Sequence, residues 1–380
     1  MQRAKNHQNL QRPQRLQKTD KAMKKNRLKW AVVSILLLLS LLFNAAAWVS
    51  RPFSDYYTDN IFPKLTEGYS RFTSLFPFSV GEIMLVVLVI LVIALLITLI
   101  LRRFFLWKIL PVIVAVVVTI MSLNCFVLYH CTPMRVAENT KESYDLQDLM
   151  ALRDYLVTKC NELSLTMSRD NEGNVVYQGN MKETAKEAML GISDRQKRLD
   201  GFYATPKALT FSGFMSQQYM QGYYFPFSME ANYNDDMYIM NKPFTMCHEL
   251  AHTHGYIYED EANFLGFLAC IESEDPVFEY SGYLGVLNYV NNDFYKAVDK
   301  ETYDSHVKIT DLVKYDNQFL TDEAWKKVED NAIFDTETVK KAADTFVDTN
   351  LKVNGVSSGK VSYTHVVSLL LDFYNENPFD

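Results

Sequence analysis

Three long apolar runs near the start of the chain limit its architecture more than any other feature. Residues 28–48 carry a single charge, Lys29, at one edge. At 1.5 Å per residue, about twenty residues cross the roughly 30 Å hydrocarbon core of a bilayer. A second run covers 80–101, interrupted only by Glu82 near its start, and a third covers 104–129, with Lys108 able to snorkel toward headgroups. Pro111, near the entry of the third run, is tolerable in a membrane helix. Runs this long, without helical alternation, read as membrane spans rather than as buried helices of a soluble core. A cleaved signal peptide is the rival reading of the first run, because Asn44-Ala45-Ala46-Ala47 resembles a small-residue cleavage site. The long basic region before it and its near-full length favour a retained span.

Charge divides the chain into three parts. Residues 1–29 hold ten Lys/Arg against one Asp, 30–130 hold six against four acidic residues, and 131–380 hold 22 against 40. The modest net charge of −7 therefore hides a basic tail, a membrane block and an acidic globular domain. The tail reads as a solvated topology anchor beside anionic lipid. No aromatic residue interleaves with its charges before Trp30, so nucleic acid is not an expected partner. Positive charges stay inside, which puts the N-terminus and the Arg102-Arg103-Lys108 turn in the cytoplasm and residues 131–380 outside the plasma membrane. The expected partners are the lipid bilayer and a peptide or protein substrate.

In the globular part, 143–165 and 180–199 show helical spacing, separated by the turn Asp170-Asn171-Glu172-Gly173-Asn174. Gly222-Tyr223-Tyr224-Phe225-Pro226-Phe227-Ser228 reads as a strand, and Pro226 argues for an edge position. Beyond Pro243 the pattern is mainly helical, with breaks expected near Gly282, Thr310 and 355–359. The expected fold is a membrane protein, mainly α, with three N-terminal transmembrane helices and a mostly α domain containing a small β element. Cys247 and Cys270 could be bridged if their helices pack closely, although buried thiols fit better.

His248-Glu249-Leu250-Ala251-His252 carries the chemistry. Two imidazoles four residues apart share one helix face and can hold a zinc ion, and the intervening carboxylate can take a proton from water there. Residues 246–255 read as that helix, with Pro243 suited to its first turn and Gly255 to its end. A third ligand is expected from Glu259, Asp260 or Glu261 at the start of the next helix. Glu261 is favoured, because Leu265 and Leu268 follow it on the same side and would face the motif helix. Glu259 reads as a complement to the helix dipole, and Asp260 as a group orienting a histidine. Tyr363, or less readily His365, could approach the metal and stabilise an oxyanion. His254 points to another face and reads as a surface or capping residue, while His306 reads as structural. Tyr223 is expected to pack, and Glu230 and Asn232 either hold substrate backbone or shape the turn.

The runs Pro243 to His252, Glu259-Asp260-Glu261-Ala262-Asn263-Phe264-Leu265 and Gly222 to Asn232, with Ser362-Tyr363, together resemble an uncharacterised bacterial family of multi-span membrane proteins with an HExxH domain. The Glu-Ala-Asn helix also resembles the third-ligand helix of gluzincin peptidases. That likeness implies a zincin-like domain and zinc as cofactor. A metzincin would carry His where this chain has Tyr258, and a thermolysin-like enzyme spaces its glutamate further away. The expected activity is therefore that of a membrane-anchored zinc metallopeptidase, with His248, His252 and Glu261 on the metal and Glu249 as base. The alternative is a membrane receptor or scaffold with a structural zinc site.

Overall fold

The computed structural model describes residues 2–134, 145–353 and 365–377, with side chains from Met23 onward. The first apolar run lies in α1 (Gln2–Val49). A helical segment then connects it to the second run: α2 (Arg51–Tyr56), a π turn at Tyr57–Ile61 and α3 (Phe62–Thr73). The second run is α4 (Val80–Ile100), and the third is α5 (Leu110–Met121), which continues as tighter and wider turns to His130. Three helices are thus long and apolar enough to span a bilayer: Met23–Val49, Val80–Ile100 and Leu110–His130. The third starts later than expected, because Leu106–Lys108 forms a 3-10 turn and Pro111 sits in the first turn of α5.

Polar groups inside the spans are paired, as a low-dielectric surrounding requires. Ser40 Oγ meets Thr119 Oγ1 at 3.0 Å, and Asn44 donates to Ser122 Oγ at 2.7 Å. At the opposite end of the spans, Lys29 donates to the Lys108 carbonyl.

The globular domain opens with α6 (Leu146–Thr166) and α7 (Met181–Gly191). The second predicted helix stops at Gly191, and two 3-10 turns carry the chain to Leu199. A small sheet follows, with α8 (Ser212–Gln217) between its first two strands. β1 (Lys207–Ala208) pairs parallel with β3 (Glu230–Tyr233), which pairs antiparallel with β2 (Gly222–Phe225) in the order β1-β3-β2. β2 is an edge strand, as expected, and Pro226 falls just past it in the turn to β3. Then come α9 (Lys242–Thr253), α10 (Glu259–Ile271) and α11 (Pro276–Ala297). Five helices complete the described chain: α12 (Lys300–Ser305), α13 (Asp311–Asp316), α14 (Asp322–Asp330), α15 (Thr336–Val353) and α16 (Val366–Glu376).

The main core gathers α6, α9, α10, α11 and α16 around residues such as Leu152, Leu156, Phe267, Phe278 and Leu370. Gly282 does not break α11 as expected. It lies inside that helix, where an added Cβ would sit 2.6 Å from Cys270 Cβ, so its absence permits close helix packing. Thr310 does mark a boundary, since its hydroxyl caps α13. The break expected at 355–359 lies outside the described residues. Cys247 and Cys270 are both buried free thiols.

The membrane block and the globular domain share a second apolar cluster that includes Ala47, Tyr57, Phe62, Leu128, Met229 and Ile257. Buried carboxylates reinforce it in both directions. Glu230, at the start of β3, accepts the amides of Val80 (3.2 Å) and Gly81 (2.9 Å) at the N-terminus of α4. Glu82, in the first turn of α4, accepts those of Thr210 (2.9 Å) and Phe211 (2.8 Å). Each helix N-terminus leaves amides without intrahelical partners, and a carboxylate satisfies them well. Replacement of Glu230 by Ala should therefore destabilise the folded chain by about 1–3 kcal/mol. A lowered thermal transition of the detergent-solubilised protein would register that loss, while an unchanged transition would refute the pinning role.

Candidate metal centre and cleft

The motif helix α9 begins with Pro243, where a missing amide costs nothing. It ends before Gly255, whose φ of +88° lets the chain reverse. A side chain there would also collide with Thr58, since an added Cβ lies 2.9 Å from its Cγ2. The reversal feeds α10, and the first residue of that helix reaches the two imidazoles. Glu259 Oε2 lies 3.2 Å from His248 Nε2 and 3.6 Å from His252 Nε2, and the two Nε2 atoms are 3.1 Å apart.

The carboxylate beside the histidines is thus Glu259, and the expectation for Glu261 is corrected. Two residues on a helix are separated by about 200°, so Glu259 and Glu261 cannot both face α9. Glu261 turns the other way, is buried, and accepts the Met134 amide at 2.6 Å. The face of α10 that meets the motif helix runs through Glu259, Asn263 and Gly266, not through Leu265 and Leu268. An added Cβ on Gly266 would lie 3.1 Å from the His248 backbone nitrogen.

His252 Nδ1 meets the Tyr256 carbonyl at 2.6 Å, which fixes the ring and puts that nitrogen's hydrogen on the far side from Glu259. The orienting role expected for Asp260 therefore falls to this carbonyl, while burial pushes the Asp260 carboxyl upward. Burial pushes the Glu259 carboxyl upward, but the hydrogen bonds and charges of His248 and His252 outweigh it and hold the group well below the usual carboxylate range.

Glu249 is 4% exposed. The Tyr224 amide serves the carboxylate, yet Oε2 has no hydrogen-bond partner among the described residues. Burial raises the group to about 8. Gly222 of β2 lies directly against it, since a Cβ there would sit 2.7 Å from Glu249 Oε1. His254 is buried rather than on the surface. It follows the last residue of α9 and stacks on Tyr203 with ring centroids 3.9 Å apart. His306 pairs with Asp154 at 2.6 Å, away from the motif. Asn232 is buried and braces the β2–β3 pairing through Tyr223 and Glu230 carbonyls. Tyr363 lies outside the described residues, and His365 sits exposed before α16.

A cleft of about 780 Å³ contains His248, Glu249, His252 and Glu259. Its walls include β2, Asn263 of α10, Tyr289 of α11, one side of α15, and Met121, Cys125 and Tyr129 of the third span. Tyr289 is a phenol that interacts with both Glu259 and Asn263. Neither it nor the span residues carry a local sequence signal, because their proximity depends on long-range packing.

The family described as "Protein of unknown function (DUF3810)" matches residues 57–371, from the π turn after the first span to α16. The chain belongs to this family. No curated protein and no solved structure matches it. The matched region includes the second and third spans, the three strands of the sheet, the motif helix and α10, so the described site lies wholly inside the family's extent.

Because α9 and α10 touch through Gly266, Gly266→Ala should force the His248 turn outward by a few tenths of an ångström. Overpacking of this kind costs about 1–3 kcal/mol. A fall in the unfolding midpoint of the purified chain would register it, and an unshifted midpoint would show that the helices are not in close contact there.

Proposed function

We propose that this protein is a membrane-anchored zinc metallopeptidase of the cell envelope. His248, His252 and Glu259 would hold the ion, Glu249 would act as general base, and a peptide or protein would be the substrate. The observation that carries this reading is the bare Oε2 of buried Glu249, next to three convergent metal donors, in an open cleft. A buried carboxylate oxygen without a donor is costly, and such exceptions concentrate where chemistry needs them.

The donor set suits zinc. Tetrahedral coordination with bonds of about 2.0–2.1 Å to nitrogen and oxygen sets donors about 3.4 Å apart. The separations of 3.1, 3.2 and 3.6 Å bracket that value. When bound, zinc supplies Lewis acidity, which makes a water acidic and polarises a carbonyl. The chain's own residues do the rest. Glu249 takes the proton of the attacking water and passes it to the departing amine. β2 is the edge strand beside Glu249, to which its Tyr224 amide is bonded, and an extended peptide would align along it by strand addition. Tyr289, in the same cleft, offers a phenol for the oxygen that becomes negative.

A scaffold with a structural zinc site is the second reading, and the cleft weighs against it. A closed structural site needs neither an open approach nor a carboxylate with a free oxygen. In the proposed topology the basic tail is cytoplasmic and the globular domain lies on the outer face of the plasma membrane. Its segment 51–76 packs against that domain through Arg198 with Asp59 and Ser70 with the Met229 carbonyl. This puts the first connection and the domain at the same end of the spans, as three crossings require.

The full chain in nanodiscs should retain one zinc per molecule by elemental mass spectrometry. Glu259→Ala should lower zinc affinity at least about 10-fold, as expected on loss of one of three protein ligands. Glu261→Gln should leave zinc content intact, which reverses the assignment expected from sequence. Glu249→Gln should keep the metal and lower peptide cleavage by about 10²–10⁴-fold. Bound zinc combined with cleavage indifferent to Glu249 would remove the peptidase reading and favour the scaffold.

A further inference from the structure

Part of the cleft wall belongs to the membrane block. Met121 and Cys125 of the third span line the same cavity as His248, Glu249 and Glu259. The depth of that wall follows from how the spans pair. Asn44 of α1 is bonded to Ser122, so Met121 lies level with the Asn44 turn. α1 runs on only to Val49, which is roughly 8 Å higher at 1.5 Å per residue. The cavity therefore reaches below the end of α1, to turns of the third candidate span, Leu110–His130. A peptide wholly in water has no use for a wall there.

The strand beside the site points the same way. β2 passes Glu249 at Gly222, and its far end enters the turn at Pro226. Asn124 of the third span donates to the Pro226 carbonyl at 2.7 Å, which fixes that turn on the membrane block. A chain paired along β2 thus runs from the catalytic carboxylate to the spans. The distance from Gly222 to Pro226 is about 13 Å at 3.3 Å per residue, or four to five residues of extended substrate.

From these two observations we infer that the cleft takes the extended stretch of a polypeptide directly adjoining a transmembrane anchor. The substrates are membrane-tethered proteins, cut just outside their spanning helix. This rests on the peptidase reading above and adds the substrate class to it. The anchor lies beside the spans while the adjoining stretch climbs along β2 to Glu249.

The test uses the full chain in nanodiscs with a library of random peptides of about ten residues, each fused to one transmembrane helix. In one arm the fusion is direct. In the other a flexible Gly-Ser linker of about thirty residues intervenes, which keeps the peptide at millimolar effective concentration yet frees it from the bilayer surface. Direct fusions should be cut at least about 10-fold faster, with cuts within about five residues of the anchor, the reach of β2. Equal rates in the two arms, or cuts scattered along the chain, would overturn the inference and leave the peptidase reading intact.

A second readout does not need turnover. In the Glu249→Gln chain, p-benzoylphenylalanine replaces Phe227 and is photo-cross-linked to either library. Preferential capture of direct fusions supports the inference, and equal or absent capture overturns it. Should no arm show Glu249-dependent cleavage, the peptidase reading fails and the claim of cutting with it, and the cross-link then decides only whether the cleft takes the stretch beside an anchor.

Discussion

Burying a carboxylate is expensive unless donors meet it, and this molecule is organised by five glutamates that are buried or nearly so. Glu82 and Glu230 are met by backbone amides across the junction between the second span and the sheet. Glu261 is met by the Met134 amide, which ties the chain leaving the third span to α10. Glu259 is met by two imidazoles. The contacts of Glu82, Glu230 and Glu261 join segments 127 to 150 residues apart in sequence, so they fix the tertiary arrangement as well as satisfy a charge. Glu249 differs, because its buried Oε2 has no hydrogen-bond donor among the described residues.

How much of this is legible in the sequence depends on the range of the physics involved. The spans are legible because bilayer thickness imposes a length on every apolar run. The motif helix is legible because four-residue spacing is local, and so is the edge position of β2, which Pro226 signals. The third donor is not. The expectation for Glu261 rests on a leucine stripe facing the motif helix, a sound rule where apolar burial alone sets helix orientation. Here the close approach of α9 and α10 selects a small residue, so Gly266 lies at the contact and Leu265 and Leu268 serve the wider core. Gly282 misleads for the same reason. A glycine inside a helix reads as a break, but its lack of a side chain lets α11 close on Cys270. The role of Glu82 is hidden too, since a lone charge at the edge of an apolar run gives no hint of the amides 128 and 129 residues away.

The junction with the membrane block is an integral part of the fold. Tyr57, Phe62 and Leu128 are buried together with Met229 and Ile257, so apolar surface is removed from water on both sides of the boundary. Hydrogen bonds from Asn124 and Ser70 to the carbonyls of Pro226 and Met229 then fix the β2–β3 turn on that cluster. A turn with its carbonyls occupied in this way has little freedom to move. β2 therefore lines the cleft at a set height above the spans, and Glu249, bonded to its Tyr224 amide, is held by the same contacts.

The bland account of the histidine cluster is a buried ion pair, with one imidazole charged against Glu259. That account satisfies the three atoms with a single proton, but it explains nothing else nearby. The Tyr256 carbonyl accepts the Nδ1 hydrogen of His252, which leaves Nε2 as the atom that faces His248 and Glu259. Burial disfavours a charged ring, but the Glu259 carboxylate outweighs it and raises His252 to about 9, so a proton held at Nε2 joins the atoms of the pair. A second carboxylate, Glu249, adjoins the first motif histidine, and its Oε2 has no hydrogen-bond donor among the described residues. Under the reading proposed above, a divalent ion among the three donors would take the place of that proton and offset the charge of both carboxylates.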